Sequence, residues 1–149
     1  MGLTIRDAEA RDADAIAALL GQLGYPATAE ALPPRLERLQ IVGDRVVVAD
    51  LDGAVVGLAQ LHVSPTLEYE RPAAKLAALV VDASHRGEGV GRALVEAMEA
   101  EARARRCELL FLTTAARRED AHEFYRRVGL EETGKRFAKS LGYGEAGSE

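Results

Sequence analysis

The sequence predicts an α/β protein built on a mixed β-sheet with helices on both faces. Three observations predict it: valine-rich runs of strand length, amphipathic runs with helical spacing, and an alternation of the two from the start of the chain to residue 141. The runs follow the order β-α-α-β-β-β-α-β-α-β. Successive strands joined by short turns pair antiparallel, whereas strands joined through a helix pair parallel, so the sheet should contain both kinds of pair.

The first half of the chain predicts a short strand, two helices and a hairpin. Thr4–Arg6 forms the strand, Asp12 is placed to cap a helix, and Gly24 ends that helix. The apolar face of this helix consists of Ile16, Leu19, Leu20 and Leu23. The second helix carries Leu32, Leu36 and Leu39 on one side, with Pro33 and Pro34 in its first turn. Strands at 45–50 and 54–63 flank Asp52-Gly53, a pair typical of hairpin turns.

The second half predicts two further strand–helix units and a last strand. The apolar run Leu76–Val81 leads into a glycine-rich turn and then a helix. The apolar face of that helix consists of Val90, Ala93, Leu94, Ala97 and Met98. Leu109–Leu112 is continuously apolar, so we expect it near the centre of the sheet. A helix with Ala121, Phe124, Tyr125 and Val128 on one face ends at Gly129, and Phe137–Leu141 should form the last strand.

Composition and charge set limits on the class of protein. With 48% hydrophobic and 29% charged residues, we expect one globular domain over residues 1–141 and a flexible tail over 142–149. No apolar run approaches the roughly 20 residues of a membrane span, and the N-terminus does not resemble a signal peptide, so we expect a cytoplasmic protein without a membrane partner. The single cysteine, Cys107, excludes an intrachain disulfide and a cysteine-based zinc site. The net charge of -5 disfavours nucleic acid as a partner.

The most informative segment is the glycine-rich turn within Leu79–Arg92, where a strand runs into glycines that open a helix. Glycine admits close backbone approach, and the free N–H groups of a helix N-terminus favour an anion, so the segment predicts a phosphate or pyrophosphate site. The P-loop pattern fails because Gly91 is followed by Arg92 and Ala93 rather than Lys and Ser or Thr. The dinucleotide pattern fails because its glycines stand at different offsets. A turn without a ligand remains the alternative.

The same segment resembles the acetyl-CoA signature of the GNAT family of N-acetyltransferases. The family pattern is Arg or Gln, two residues, Gly, one residue, then Gly or Ala, and Arg86, Gly89 and Gly91 fill it. Residues Ala121–Leu130 resemble the family's later helix, Ala-x-x-Phe-Tyr-x-x-x-Gly-Phe. The resemblance covers nearly the whole chain, with both motifs in the family's order, and it implies a GNAT-like acyl-CoA N-acyltransferase fold.

The resemblance implies that acetyl-CoA is the co-substrate and assigns its contacts. Backbone N–H groups of the turn would bind the pyrophosphate; the turn comprises Arg86, Gly87, Glu88, Gly89, Val90, Gly91 and Arg92. The strand Leu79, Val80, Val81 would pair with the pantetheine arm, and a backbone N–H there would polarise the acetyl carbonyl. This strand would splay from Leu109–Leu112 to admit the thioester. His85 and His122 would flank the cofactor.

Tyr125 matches the family's usual general acid, which protonates the departing thiolate. Without the resemblance, its helical spacing with Phe124 and Val128 would equally suit a core tyrosine. The family match therefore carries the catalytic assignment.

The general base is left open by the residues. Many family members carry a carboxylate on the strand before the glycine motif, but Leu76–Leu79 contains none. Arg118 replaces an asparagine that often contacts the cofactor. His62, in phase with Gln60 on its strand, is one candidate base, against the alternative of a half-buried strand-end histidine. Glu68 and Glu70 lie in the next loop and could bind or deprotonate an ammonium group, or simply be solvated.

The preferred hypothesis is direct transfer of an acetyl group from acetyl-CoA to a primary amine of a small molecule or peptide, without a metal. Two rivals stay open: a non-catalytic acyl-CoA binding or sensing module on the same fold, and a nucleotide-phosphate enzyme that uses the same turn. The resemblance also implies a homodimer.

Overall fold

The structure is a computed structural model that describes residues 2–113, 119–134 and 136–142. The helices and strands, in chain order, are β1 (Leu3–Asp7), α1 (Ala13–Leu23), α2 (Leu32–Ile41), β2 (Arg45–Leu51), β3 (Ala54–Ser64), β4 (Ala73–Val81), α3 (Val90–Ala104), β5 (Leu109–Phe111) and α4 (Glu119–Arg127). Short 3₁₀ turns cover Ala10–Asp12, Ala29–Ala31 and Ala83–His85. This order agrees with the predicted one as far as α4.

The chain divides into two compact units, Met1–Leu112 and Thr113–Glu149. The first unit holds the sheet and α1 to α3, and the second holds α4. The expectation of a single domain over residues 1–141 stays a prediction. The expected tail lies outside the described residues from 143 onward, as does Arg118.

The sheet of the first unit is mixed, as predicted, with the order β1-β2-β3-β4-β5. Neighbouring strands from β1 to β4 pair antiparallel, and β4 pairs parallel with β5. The crossover between β4 and β5 runs through α3, as a parallel pair requires.

The helices of the first unit cover both faces of this sheet. Ile16, Leu19 and Leu32 from α1 and α2 form a buried cluster with Val48, Leu58 and Val80 of the strands. On the other face, α3 lies so close to Gly57 that an added Cβ would stand 2.9 Å from Leu94 Cδ1. Successive strand residues face opposite sides, so Gly57 and Leu58 mark the two layers.

The predicted turn chemistry is confirmed at the hairpin and at the helix ends. Asp52 and Gly53 both have positive φ, 52° and 96°, as a two-residue hairpin turn between β2 and β3 requires. Gly24 ends α1 at φ 105°, and the Tyr25 N–H donates to Leu20 O at 2.9 Å in a Schellman-type end. Gly129 ends α4 in the same manner at φ 95°.

Asp12 stands at the N-cap position of α1, but its side chain makes no cap bond to that helix. Its carboxylate instead accepts from the Glu9 N–H at 2.8 Å and from both terminal nitrogens of Arg6, at 2.9 Å each. The sequence predicted the residue's place correctly and its partners wrongly, because an arginine on β1 competes for a carboxylate better than a neutral N–H does.

Two strand predictions need correction. Within the described residues β5 is the edge strand rather than a central one, and Phe111 is 37% exposed. The predicted last strand, Phe137–Leu141, is no strand, and the side chains of Phe137 and Leu141 are 92% and 80% exposed. A short segment with apolar residues at both ends can suit a strand, but a strand also needs a pairing partner, and none of the described residues pairs with this segment.

No helix in the described part of the chain combines the length and apolar character needed to cross a bilayer.

Candidate active site

The site begins where β4 and β5 part. The two strands pair only at Ala73–Leu109, Ala74–Leu110 and Lys75–Phe111. Beyond Lys75, β4 continues for six more residues that pair with β3 on one side, while its other edge has no strand partner among the described residues. The pairing therefore ends where the splay is predicted, and it leaves a strand edge that an extended ligand can join by β-addition.

A β-bulge lies at the start of Leu76–Val81, the splayed segment of β4 that does not pair with β5. Leu61 pairs with Leu76 and Gln60 pairs with Ala78, so Ala77 is the extra residue on β4. Its side chain is exposed, whereas Leu76 beside it is buried. A bulge bends the strand and turns backbone groups out of the ladder, as is common beside active sites.

The end of β4 leads into the predicted anion site. Gly87 and Gly89 have φ of 80° and 87°, in the left-handed region that glycine adopts without strain. Gly89 is the N-cap of α3 and no side chain caps this helix, whose Ala93 N–H donates to Gly89 O at 3.1 Å. The N–H groups of Val90, Gly91 and Arg92 precede that bond and stand at the positive end of a 15-residue helix. The turn therefore has free backbone donors of the kind that an anion site needs, and anion binding itself stays a prediction.

A polar clamp, formed by Gln22, Asp82, Ser84 and His85, holds the start of this turn. The Gln22 amide donates to Asp82 Oδ1 at 2.7 Å and accepts from the Ala83 N–H at 2.9 Å. Bonds from Ser84, Gln22 and His85 hold the pKa of the Asp82 carboxyl well below its usual range. The Arg86 Nε donates to Val81 O at 3.2 Å, which ties the turn back to β4. Sequence reasoning missed Gln22, since it lies 60 residues from its partner Asp82.

His62 lies opposite Lys75, at the end of Leu76–Val81 that is farther from the glycine turn, and its ring contacts a buried carboxylate. Its Nδ1 is 2.6 Å from Oδ1 of Asp44, whose side chain is 3% exposed, while the His62 ring is 44% exposed. The Gln60 amide donates to Oδ2 of the same carboxylate at 2.8 Å. Lys75 stands opposite His62 in the register, so the two side chains share one face of the sheet. Sequence reasoning missed Asp44.

The two carboxylates proposed in the loop before β4 are exposed to solvent. Glu68 and Glu70 are exposed in the connection between β3 and β4. Within the described ranges no group of three or more His, Cys, Asp and Glu side chains is placed to hold a metal ion.

A cavity of about 230 Å³ lies at the end of the sheet where β2 begins, and Asp44, the partner of His62, is one of its lining residues. It is lined by Arg45 and Arg105 among others. Arg45 pairs with Asp7 and Glu101, and Arg105 pairs with Glu101. Since these carboxylates already neutralise both arginines, the glycine turn is the better anion site.

Tyr125 and His122 belong to the second unit and lie half-buried on α4. The rings of Phe124 and Tyr125 contact each other edge to face, with centroids 5.8 Å apart. The Leu130 N–H donates to Tyr125 O at 2.9 Å and closes the helix just beyond the tyrosine. The predicted helix and its apolar face are therefore confirmed within this unit.

Comparison with known proteins agrees with this architecture. The model of the acetyltransferase (GNAT) family matches residues 14–130. An aminoalkylphosphonate N-acetyltransferase of Salmonella typhimurium is 32% identical over 142 residues, which cover 92% of this chain and 90% of that protein. The crystal structure of a Trypanosoma brucei acetyltransferase superposes with a TM-score of 0.81 at 26% identity, covering 93% of this chain and 99% of that one. Aminoglycoside N-acetyltransferase AAC(6')-Iy, solved with CoA, has the same fold, with a TM-score of 0.80 at 19% identity and 93% coverage of both chains.

A free edge of β4 beside an uncapped helix N-terminus suits an acyl-CoA enzyme, and these relatives define an N-acetyltransferase, an enzyme that moves an acetyl group to an amine. The chain belongs to the GNAT family. The comparisons give no support to the non-catalytic alternative.

Proposed function

We propose that the acetyl donor is acetyl-CoA and that it lies along β4. The observation that carries the proposal is the continuity of two features: the unpaired edge over Leu76–Val81 and the N–H donors of Arg86–Arg92 that follow it. The edge suits the amide-containing pantetheine arm, and the turn suits the pyrophosphate. Leu79, Val80 and Val81 then contact the arm, and a backbone N–H near them on β4 polarises the acetyl carbonyl.

For the acceptor, we propose a small molecule with a primary amine. The relative named as an aminoalkylphosphonate N-acetyltransferase covers almost the whole chain at 32% identity. Aminoalkylphosphonates are therefore the first compounds to test, followed by amines without an anionic group and by short peptides.

The proposed chemistry is direct attack. The amine nitrogen attacks the thioester carbonyl and gives one proton to a base, and the tetrahedral intermediate loses its C–S bond. Tyr125 donates its phenolic proton to the leaving thiolate and recovers a proton from solvent. His122, three residues before Tyr125 on the same helix, is proposed to flank the cofactor.

Among the candidate bases we expect His62 to matter most. Alanine substitution of Glu68 or Glu70 should leave most of the turnover, since both carboxylates are exposed loop residues. Complete loss of activity in either variant, with donor binding retained, would move the base to that carboxylate.

The donor proposal is tested by calorimetry with acetyl-CoA and by thiol release with a panel of amines. We expect micromolar binding, roughly 8 kcal/mol. Gly89→Val should weaken it at least tenfold, because φ of 87° strains a β-branched residue and distorts the donors. Gly53→Val is the matched control: it also introduces valine at positive φ, 96°, but in the β2–β3 hairpin. Equal affinities in a folded Gly89→Val protein and in the control would place the donor site elsewhere.

A further inference from the structure

We propose that Asp44 is the positioning residue that makes His62 the general base of the acetyl transfer. This inference rests on the proposed function and names the group that takes the proton from the attacking amine. It follows from the contacts of one buried carboxylate and from its place in the sheet.

Asp44 is held in place by three hydrogen bonds, one at its backbone and two at its carboxylate. The Asp44 N–H donates to Leu39 O at 2.9 Å, which attaches the residue to the end of α2 just before β2 begins. The Gln60 amide donates to Oδ2 at 2.8 Å, and His62 Nδ1 lies 2.6 Å from Oδ1. With its side chain 3% exposed, the carboxylate cannot exchange these partners readily for water.

These contacts select one form of the His62 ring. A carboxylate only accepts hydrogen bonds, so the proton of a neutral imidazole is held at Nδ1. The lone pair then lies on Nε2, the nitrogen that remains for a substrate proton. The His62 ring is 44% exposed and its partner Asp44 is buried. The buried carboxylate therefore fixes the orientation of the ring, while the exposed part of the ring is accessible to a substrate.

The position of His62 matches the expected place of the thioester. Six residues of β4, Leu76–Val81, extend about 20 Å between the bulge and the glycine turn, at roughly 3.3 Å per residue. An extended pantetheine arm bound at the turn therefore brings its sulfur end toward Ala77, two residues beyond Lys75. Lys75 is the register partner of His62, so the ring lies one strand away from this point.

Ala77 and Ala78 occupy the part of β4 where a base is expected, so the base has to come from the neighbouring strand, β3. The side chains of Ala77 and Ala78 carry no proton acceptor. On the same face, Gln60 stands opposite Ala78, and its amide is already bound to Asp44. Many family members carry a carboxylate base on the strand equivalent to β4. In this chain we place the base on β3 instead, as the imidazole of His62.

A purely structural role for Asp44 makes different predictions. In that case the carboxylate only anchors the start of β2, and its loss lowers stability without changing the chemistry of the His62 ring. The ring tautomer and the coupling between the two residues separate the possibilities.

The test is a double-mutant cycle on kcat with an amine that the wild-type enzyme acetylates. Asp44→Asn keeps the size of the side chain but can donate to Nδ1, which moves the imidazole proton to Nε2. We expect Asp44→Asn and His62→Gln each to lower kcat about 10²-fold or more. In the His62→Gln background, Asp44→Asn should add less than about threefold, because it acts through His62.

Asp50→Asn is the matched control, since Asp50 is a half-buried carboxylate on β2 that also has two partners, Arg6 and the Gly53 N–H. It should leave kcat within twofold. Multiplicative losses in the double variant would overturn the proposal, as would wild-type rates in a folded Asp44→Asn protein.

Nitrogen NMR of the histidine rings gives a readout that does not depend on activity or on any variant folding. Wild-type His62 should carry its neutral-state proton on Nδ1, and an Nε2–H tautomer would overturn the proposal. Failure of the proposed function looks different: the wild-type enzyme would then release no thiol with any amine of the panel, whatever the tautomer.

Discussion

At the scale of single residues, the hydroxyl of Tyr125 separates a catalytic tyrosine from a core one. Tyr125→Phe keeps the ring and its contact with Phe124 and removes only the proton donor. If Tyr125 is the general acid, kcat should fall about 10²–10⁴-fold while acetyl-CoA affinity stays within a few-fold, because the thiolate must leave without a proton. Stopped-flow thiol release and calorimetry measure the two quantities. A Phe variant that turns over at the wild-type rate, with chemistry rate-limiting, would return Tyr125 to a packing role.

Asp12 provides a prediction about stability and pH. The two bonds from Arg6 hold the pKa of this buried carboxyl below its ordinary value of 3.8. Its ionised form therefore stabilises the fold above about pH 4, and this contribution is lost as pH falls through the folded-state pKa. Asp12→Asn should lower the unfolding free energy by about 1–3 kcal/mol at pH 7, because Arg6 loses one of its two carboxylate partners and keeps only Asp50. Against wild type, the deficit should shrink below pH 4.

Urea denaturation between pH 7 and pH 3 measures this difference. Asp14→Asn, an exposed position in the first turn of α1, is the control and should stay within about 0.5 kcal/mol of wild type. A deficit in Asp12→Asn that is independent of pH would show that the ion pair is not its cause.

At the scale of elements, the site depends on how closely α3 packs on β3. An added Cβ at Gly57 would stand 2.9 Å from Leu94 Cδ1, 3.1 Å from Val90 Cγ1 and 3.2 Å from Ala49 Cβ. Val90 is the first residue of α3, so any shift of the helix moves the N–H donors of the turn. The absence of a side chain at Gly57 thus sets the distance between the anion site and the sheet.

Gly57→Ala should therefore cost about 1–3 kcal/mol of stability through overpacking. Acetyl-CoA affinity should fall with it, since Val90 must move. Gly21→Ala is the matched control, since Gly21 is an exposed position of α1 where an added Cβ meets nothing within 4 Å. This substitution should be neutral or raise stability by up to about 1 kcal/mol. Thermal unfolding measures the stability, and calorimetry measures the affinity for acetyl-CoA. A Gly57→Ala protein as stable as wild type would show that α3 can move to accept the extra methyl group without cost.

At the scale of the whole molecule, we expect a homodimer. Phe137 and Leu141 expose most of their apolar surface in the second unit, as residues that meet a partner chain do. Light scattering at micromolar concentration should give the mass of two 16.0 kDa chains, and Phe137→Asp should shift the mass toward one. A wild-type mass of a single chain would end this prediction.

The elements could be predicted from the sequence because their signals are local. The hairpin at Asp52-Gly53, the stop at Gly24 and the face of α3 each follow from residues within a few positions of one another. The last strand was predicted wrongly at Phe137–Leu141, because a strand depends on a distant partner that no local pattern reveals. The same limit explains why a continuous apolar run at Leu109–Phe111 indicated a central strand and formed an edge within the described sheet.

The sequence by itself determined the class of fold, the glycine-rich turn at Arg86–Arg92 for which we propose anion binding, and the candidate tyrosine, since glycine spacing and helical periodicity follow from residues close together in the chain. Only the tertiary structure decided that Asp44 lies against His62, that Gln22 holds Asp82, and that Gly57 faces Leu94. These pairs are separated along the chain by 18, 60 and 37 residues, respectively. Hydrogen bonds and close packing act over a few ångströms of space, so the register of the strands, rather than any pattern along the chain, brings such residues together.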